Sequence, residues 1–464
     1  MLKEHSFDQN KYKKLNVNKT RYLPWFIALF GIVLLVLICQ VLRLNWRILD
    51  ALQYEEFNLN LKFKNYEELH KLYKNSTSEN IIKESNNGFI AGAPNSTVNS
   101  FRVVCYYVVS FNLTRFRQLA TSSVDPYLCT HIIVGFAIVE NGTLQPKNSS
   151  DTLEYRNIIN LKLINPSLKV LLSVQDFSSK GEFAQVVSSE ELRKKFALNA
   201  LNFINTTGFD GLDLDWEFPA WPDADLTQAR NFTLLLGEFR HLINSSKDKN
   251  FRKLELSVAV ASPLLIMSQS YEIEAMAGLV DFVNLMSYDF HLYTTVSPVT
   301  GANAPLYQRK SESGIFSTLN TNWSAMHWVL WGMPWFKINV GIPTYGHSFR
   351  LINSDNNGWN APSSGFGRTG DGKGFITYSD ACRLLNDTST THVFDDEYDV
   401  PYAYNGDEWI SYDNALSVTL KAFYIKNSKF GGAMIFCLNS DDFDGICSPV
   451  KFPLTRTISN ILIG

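Results

Sequence analysis

Eight short apolar runs alternate with helix-length amphipathic stretches in the chain beyond residue 100. The runs begin at Phe101, Thr130, Leu168, Gly208, Leu254, Leu279, Phe336 and Gly431. Continuous apolar runs are typical of parallel strands buried on both faces, and their alternation with helices indicates βαβ units. Plausible helices cover Glu190 to Thr206 and Asp225 to Ile243. Eight such units predict an α/β fold, the (β/α)8 TIM barrel, over residues 101–464.

The gap between the last two runs is longer than one helical connection needs. Residues of about 348–404 lie in that gap, and they predict a small α+β insertion between strand 7 and strand 8. An open, doubly wound sheet is the alternative arrangement of the same pattern. No Gly-rich phosphate loop supports a nucleotide-binding version of that sheet.

The fourth run carries three carboxylates at alternate positions. Because side chains on a strand alternate between its faces, Asp213, Asp215 and Glu217 share one face. Buried charges are costly unless they are paired, and neighbouring like charges raise one another's pKa. The row therefore predicts a Glu217 that stays protonated near neutral pH, as a general acid must. A solvated edge strand and a calcium site are the alternatives, but calcium prefers loops with carbonyl ligands.

The N-terminal part of the chain carries a different signal. The run from Leu23 to Leu42 is almost entirely apolar, and 20 helical residues span about 30 Å, the thickness of a bilayer core. No small-x-small cleavage site follows, so residues 23–43 predict a transmembrane signal anchor. Basic residues precede the run, which predicts a cytoplasmic tail at residues 1–22. Residues 44–100 are then a stalk or linker, and the protein is a single-pass type II membrane protein with an extracellular or lumenal barrel.

Glycosylation and disulfide signals agree with a secretory route. Ten N-x-[ST] sequons follow the apolar run, at Asn75, Asn95, Asn112, Asn141, Asn148, Asn205, Asn231, Asn244, Asn322 and Asn386. Five cysteines lie beyond the run, which allows two disulfides and one free thiol. The formal net charge of −3 gives no global field that would favour nucleic acid as a partner.

The carboxylate strand matches the D-x-x-D-x-D-x-E signature, and the chain resembles family 18 glycoside hydrolases, the chitinases and chitinase-like lectins. The likeness extends over most of residues 101–455. Its other blocks are CYY from Cys105, PYLCTHIIVGFA from Pro126, FVNLMSYDFH from Phe282, TGANAPLY from Thr300, VGIPTYGHSF from Val340 and GGAMIFCLNSDDFDG from Gly431. The resemblance implies binding and hydrolysis of β-1,4-linked N-acetylglucosamine chains, chitin among them, at the carboxyl ends of the strands.

A substrate-assisted retaining mechanism follows from this resemblance. Glu217 would protonate the glycosidic oxygen, and Asp215 would turn toward Glu217 and hold the N-acetyl group of the substrate. The carbonyl oxygen of that group would attack the anomeric carbon, while the hydroxyl of Tyr288 steadies it. Asp213 would share a proton with Asp215. No metal and no organic cofactor is implied.

The resemblance also implies the walls of the cleft and the cysteine pairs. The predicted substrate-binding residues are Tyr106, Phe136, Phe177, Met286, Asp289, Tyr345 and Phe436. Cys105 would bridge Cys129, and Cys382 would bridge Cys447. Cys437 would be free and buried.

Departures from the family pattern favour a weakened or re-targeted hydrolase. The family's S-x-G-G-W block reads SVQDF here, so Gln175 and Asp176 replace two glycines, and Asp176 is expected to crowd the cleft or add charge to it. Ser110 and Phe436 replace two tryptophans, and His347 replaces an arginine. Smaller aromatic faces weaken stacking on sugar rings. A non-catalytic, glycan-binding lectin at the cell surface is therefore the alternative.

Overall fold

The computed structural model describes residues 101–109, 118–178, 180–222, 225–248 and 251–464. The predicted cytoplasmic tail, signal anchor and stalk lie outside these residues, and so does Ser110. Within the described ranges, no helix combines the length and the apolar character that crossing a bilayer requires.

Eight parallel strands close into a barrel, as the alternation of apolar runs predicts. They are β1 (Arg102–Val108), β2 (His131–Glu140), β4 (Lys169–Asp176), β5 (Gly211–Trp216), β6 (Glu255–Ala261), β7 (Phe282–Met286), β8 (Ile338–Pro343) and β15 (Gly432–Phe436). Around the barrel the order is β1, β15, β8, β7, β6, β5, β4 and β2, and β2 pairs with β1 to close the ring. A short strand, β3 (Thr143–Pro146), adds to β2 in the antiparallel sense.

Strand β5 shows how the sequence determines which side chains face the helices and which face the barrel interior. All six of its residues are buried. Trp216 faces outward, where its ring stacks on Phe183 at 5.6 Å and meets the edge of Phe232 at 5.7 Å. Asp213 and Asp215 alternate with the outward residues and therefore face the barrel interior. The apolar outer face packs under the helices, while the polar inner face is left for the site.

Ten α-helices surround the barrel or belong to its connections in the described chain. They are α1 (Asp151–Ile159), α2 (Glu182–Val187), α3 (Glu190–Thr207), α4 (Thr227–Ser245), α5 (Leu264–Ser270), α6 (Ile273–Met276), α7 (Thr321–Leu330), α8 (Tyr378–Leu385), α9 (Ala415–Asn427) and α10 (Pro453–Leu462).

Helix α3 begins at the predicted residue, Glu190, and ends one residue later than predicted, at Thr207. The side chain of Ser189 accepts a hydrogen bond from the Leu192 N–H, and two glutamates follow in the first turn. Gly208 ends the helix with a φ of 93°, a conformation that glycine adopts without strain. Helix α4 starts two positions later than predicted, because Asp225 accepts from both the N–H and the hydroxyl of Thr227 and lies in the preceding turn.

The insertion between β8 and β15 is a six-stranded antiparallel sheet. It consists of β9 (Tyr345–Leu351), β10 (Ser363–Phe366), β11 (Phe375–Thr377), β12 (Thr391–Asp395), β13 (Val400–Asn405) and β14 (Glu408–Ser411), with α8 between β11 and β12. Only Thr344 separates β8 from β9. The insertion sheet runs from Tyr345 to Ser411, so it starts before the predicted residue 348 and ends after the predicted residue 404. The predicted start is late because the apolar block that begins at Phe336 supplies both β8 of the barrel and the first residues of β9.

Two disulfides cross-link the fold, with the pairing that the resemblance implies. Cys105 of β1 bonds to Cys129, which precedes β2. Cys382 of α8 bonds to Cys447, beyond β15, at a sequence separation of 65. This second bridge ties the insertion to the C-terminal part of the barrel. Cys437 is free and buried.

Candidate active site

The innermost carboxylate of the row, Asp213, is fully buried and held by four donors. Its Oδ2 accepts from the hydroxyls of Tyr106 and Ser173, each at 2.8 Å. Its Oδ1 accepts from the Ser257 hydroxyl at 2.6 Å and from the Asn284 amide at 3.2 Å. Burial raises the pKa of Asp213, and these hydrogen bonds oppose that effect. The donors come from four different barrel strands, so the side chain is fixed at the barrel axis.

Asp213 and Asp215 make no hydrogen bond to each other among the described contacts. Both oxygens of Asp213 accept from the donors above, and Asp215 has a different partner. The proton sharing that the resemblance implies therefore stays a prediction. The hydrogen bonds of Asp213 link β5 to its neighbours β4 and β6 and, across the barrel, to β1 and β7.

Asp215 lies above Asp213 and has one occupied oxygen and one unoccupied oxygen. It is 3% exposed, and its Oδ2 accepts from the Gln175 side-chain nitrogen at 2.8 Å. Its Oδ1 is buried and has no hydrogen-bond partner. Burial raises the pKa of Asp215 well above its usual range, and the negative charges of Glu217 and Asp213 add to this effect. Such a side chain has an acceptor available for an N–H donor of a ligand.

Glu217 follows the last residue of β5, at the carboxyl end of the strand. Its backbone N–H donates to the carbonyl of Asp176 at 2.9 Å, which continues the pairing with β4. Burial raises the pKa of Glu217 to about 7, and the negative charge of Asp289 adds to this rise. The Gln175 amide, 3.4 Å from Oε1, opposes it. The pKa of Glu217 therefore lies close to neutral pH, shifted in the direction that the carboxylate row predicts.

An aromatic cluster surrounds the row, with Phe436 at its centre. The ring centroid of Phe436 lies 5.5 Å from that of Tyr106, 6.0 Å from that of Tyr288 and 6.2 Å from that of Tyr345. Phe136 lies 6.2 Å from Tyr106. Met286 packs against the same cluster. The structure thus brings together six of the predicted site residues beside the carboxylates.

The hydroxyl of Tyr288 has a weak partner. It donates to the sulfur of Met434 at 3.8 Å, and a thioether is a poor acceptor. Burial raises the pKa of Tyr288 well above its usual range, so the hydroxyl keeps its proton. Tyr288 can therefore donate to a stronger acceptor, such as the carbonyl oxygen of a ligand.

Asp289 connects the barrel to the insertion. Its Oδ1 accepts from the Tyr345 hydroxyl at 2.8 Å and from His347 Nε2 at 2.7 Å. Its backbone has a φ of 56°, a left-handed conformation that aspartate tolerates better than most residues, and its N–H donates to Asn303 Oδ1 at 3.0 Å. His347, at the position where the resemblance implies an arginine, thus contacts this carboxylate.

The side chains of two residues of the altered block, Asp176 and Phe177, make no contact with the carboxylates or the aromatic cluster among the described contacts. Asp176 accepts from the Ser178 N–H at 3.1 Å and from the Phe183 N–H at 3.0 Å, so it organises the turn into α2. The prediction that Asp176 crowds the cleft is therefore wrong, because strand alternation places it on the face opposite Gln175. Phe177 is 71% exposed and lies outside the aromatic cluster, and its predicted contact with sugar stays a prediction.

Sequence reasoning missed several polar contacts of the site. Gln175 is a bulky replacement in the sequence, and nothing in the pattern indicated its bonds to two carboxyls. Asn284 was missed although it alternates with Val283 and Leu285 and therefore had to face inward. The Tyr271 hydroxyl accepts from the Ala261 N–H at 3.1 Å, and the charges of Glu217 and Asp215 help to raise its pKa. No motif marked Tyr271.

The fold and the site define a TIM barrel with an acid cluster at the carboxyl ends of its strands. The sequence model described as "Glycosyl hydrolases family 18" matches residues 102–441. The chain belongs to this family.

Relatives with different activities resemble the chain to a similar degree. Mouse chitotriosidase-1 is 36% identical over 370 residues, which cover 77% of this chain and 77% of the mouse protein. Human chitinase-3-like protein 2 is 34% identical over 375 residues, covering 78% of this chain and 93% of the human protein. A solved structure of human YKL-39, described as a pseudo-chitinase with retained chitooligosaccharide binding properties, matches with a TM-score of 0.72 at 33% identity. It covers 79% of this chain and 100% of that chain.

Proposed function

We propose that the barrel binds β-1,4-linked N-acetylglucosamine oligomers and hydrolyses them by a substrate-assisted retaining mechanism. The observation that carries this proposal is the pair of carboxyls at the carboxyl end of β5, where Glu217 lies beside Asp215 and burial raises the pKa of Glu217 to about 7. Release of reducing ends from N-acetylglucosamine oligomers by the detergent-solubilised full chain tests it directly. Binding without any release would instead support the second candidate below.

In the proposed reaction, Glu217 gives its proton to the glycosidic oxygen as the bond from that oxygen to the anomeric carbon breaks. The carbonyl oxygen of the N-acetyl group forms a new bond to the anomeric carbon. Asp215 accepts the N–H of the same group, and Tyr288 donates to its carbonyl oxygen. Water then attacks the anomeric carbon and gives a proton back to Glu217, while the bond between that carbon and the carbonyl oxygen breaks and the N-acetyl group is restored. Two displacements at one carbon retain its configuration.

A non-catalytic, glycan-binding role is the second candidate. The contacts of Gln175 favour it, because this side chain occupies an oxygen of Asp215 in the absence of ligand. The smaller ring of Phe436, in place of a tryptophan, also favours weaker engagement of long chains. The human structure described as a pseudo-chitinase shows that this fold accommodates binding of chitooligosaccharides.

We expect turnover to decline as the pH rises through about 7. The acid form of Glu217 is the active form, and its raised pKa keeps that form populated below about pH 7. Above this value each pH unit removes about nine-tenths of the remaining protonated fraction of the free protein, so kcat/KM falls by about tenfold per unit. Measurement of kcat/KM for the wild-type chain between pH 5 and pH 9 tests this decline. A kcat/KM that stays level to pH 9 would show that Glu217 does not supply the proton.

We also propose that residues 23–43 anchor the chain in a membrane, with the barrel on the lumenal or extracellular side. The sequon residues Asn141, Asn148, Asn244 and Asn386 are exposed on the barrel, as glycan acceptors must be.

We expect the full chain to stay in the pellet after washing membranes with alkaline carbonate, and to lose mass on treatment with an N-glycosidase. A matched chain in which a cleavable secretory leader replaces residues 1–43 is expected in the medium. Recovery of the full chain in the carbonate supernatant would contradict the anchor, and an unchanged mass would contradict the orientation.

A further inference from the structure

Gln175 joins the two carboxyls that the proposed reaction uses. It lies on β4 directly opposite Asp215 in the parallel pairing with β5. Its side-chain nitrogen is 2.8 Å from Asp215 Oδ2 and 3.4 Å from Glu217 Oε1. The side chain is half-buried. A single carboxamide therefore occupies the space between the proposed acid and its neighbour.

The carboxamide of a glutamine is the same functional group as the acetamide of an N-acetyl sugar. Both are planar, with an N–H donor and a carbonyl acceptor. In the proposed reaction, Asp215 accepts the N–H of the sugar's acetamide. Gln175 already makes a bond of this type to Asp215, and it leaves the other buried oxygen without a partner.

The contact between Gln175 and Glu217 does not fit a role in which Gln175 only supports catalysis. An N–H donor stabilises the ionised form of a carboxyl, whereas the proposed acid must keep its proton. The contact between Gln175 and Glu217 therefore works against the protonation state that the reaction needs. A residue that only assisted catalysis would favour the opposite state.

Given the proposed function, on which this inference rests, we propose that Gln175 is a built-in acetamide surrogate. Its side chain donates to Asp215 Oδ2 as the N–H of a sugar's N-acetyl group would, and a sugar that takes this same oxygen must displace it. Displacement breaks a hydrogen bond to a buried carboxyl oxygen, which is equivalent to about a tenfold to hundredfold loss of affinity. Gln175 thus limits the site to ligands whose own acetamide can compete with it for Asp215.

Binding of an oligomer that is not cleaved tests the inference without relying on turnover. The probe is a tetramer of N-acetylglucosamine with sulfur in place of each glycosidic oxygen, titrated calorimetrically into the full chain in detergent. We expect Gln175→Gly to bind it about tenfold to hundredfold more tightly than the wild type. The same tetramer with free amines in place of its acetamides is expected to bind both forms equally. Free acetamide is expected to weaken binding by the glycine variant and not by the wild type.

Two further variants separate the inference from loss of folding. Gln175→Ala keeps a β-carbon in the strand and is expected to shift affinity in the same direction. Gln145→Ala, on the exposed face of β3, is the matched control and is expected to bind as the wild type does.

Each contrary result has its own meaning. Unchanged or weaker binding by both Gln175 variants would overturn the surrogate and leave Gln175 as a support for Asp215. An equal gain in affinity for the acetylated and the free-amine tetramers would also overturn the surrogate. Gln175 would then weaken binding in the wild type through its size alone, and not by competing with an acetamide. If no form bound the acetylated tetramer, the proposed function itself would fall together with the inference. If the wild type hydrolysed oligomers but the Gln175 variants bound the uncleaved tetramer no more tightly, the inference would be wrong and the proposed function would stand.

Discussion

Replacing Glu217 by glutamine is expected to lower kcat/KM for N-acetylglucosamine oligomers by about 10²- to 10⁴-fold, the usual contribution of general acid catalysis. The substitution keeps the size of the side chain and its place after β5, and it removes the proton that the glycosidic oxygen receives. Asp215, Tyr288 and Phe436 remain, so binding of the uncleaved tetramer is expected to persist. Initial rates of reducing-end release and calorimetric titration of the same preparation measure the two effects separately.

Glu191→Gln is the matched control for this experiment. Glu191 lies in the first turn of α3 and is exposed, so the same chemical change there is expected to leave the rate unaltered. Equal rates for the Glu217 variant and the wild type would show that the proton comes from another group. Detectable binding with no turnover in the wild type would instead establish the non-catalytic candidate.

The barrel was predictable because its signal is local. Buried parallel strands must be apolar along their whole length, and the connecting helices carry their own periodicity and end signals, such as Ser189 and Gly208 at the ends of α3. The acid row was predictable for the same reason, since alternation along β5 fixes which carboxyls share a face.

The contacts of Gln175 were not predictable in this way. They depend on the register between β4 and β5, which places Gln175 opposite Asp215, and register is a property of two strands together. The wrong prediction for Asp176 has a simpler origin. Alternation along β4 separates residue 176 from residue 175, and the rule that was applied to β5 predicts this as well.

The sequence pattern did not predict the buried ion pair of Lys421 and Asp413, which lies where the insertion ends. Lys421 belongs to α9, and a lysine on a helix normally faces water. In the structure it is 1% exposed, and its Nζ contacts both carboxylate oxygens of Asp413, at 2.6 and 2.8 Å. Asp413 follows β14 and also accepts from the Ser417 hydroxyl at 2.7 Å. Burial lowers the pKa of Lys421, and the attraction of Asp413 opposes that shift.

Lys421→Met is expected to lower the free energy of unfolding by about 3–5 kcal/mol, the cost of leaving a buried charge without its partner. Methionine fills similar space, so the lost volume contributes little. Among the described contacts, the Ser417 hydroxyl is then the one donor left to the Asp413 carboxylate. Denaturant unfolding of the detergent-solubilised chain, followed by tryptophan fluorescence, measures the change. Lys195→Met, on the exposed face of α3, is expected to change stability by no more than about 0.5 kcal/mol.

The double variant Lys421→Met/Asp413→Leu decides whether the pair itself stabilises the fold. Removing both charges leaves no buried ion, and a buried pair roughly cancels its own desolvation cost, so most of the lost stability is expected to return. A double variant as unstable as the single one would show that Asp413 holds the corner of α9 through Ser417 rather than through Lys421. Recovery of stability is expected to restore turnover too, because the insertion that ends beside Asp413 also supplies Tyr345 and His347 to Asp289.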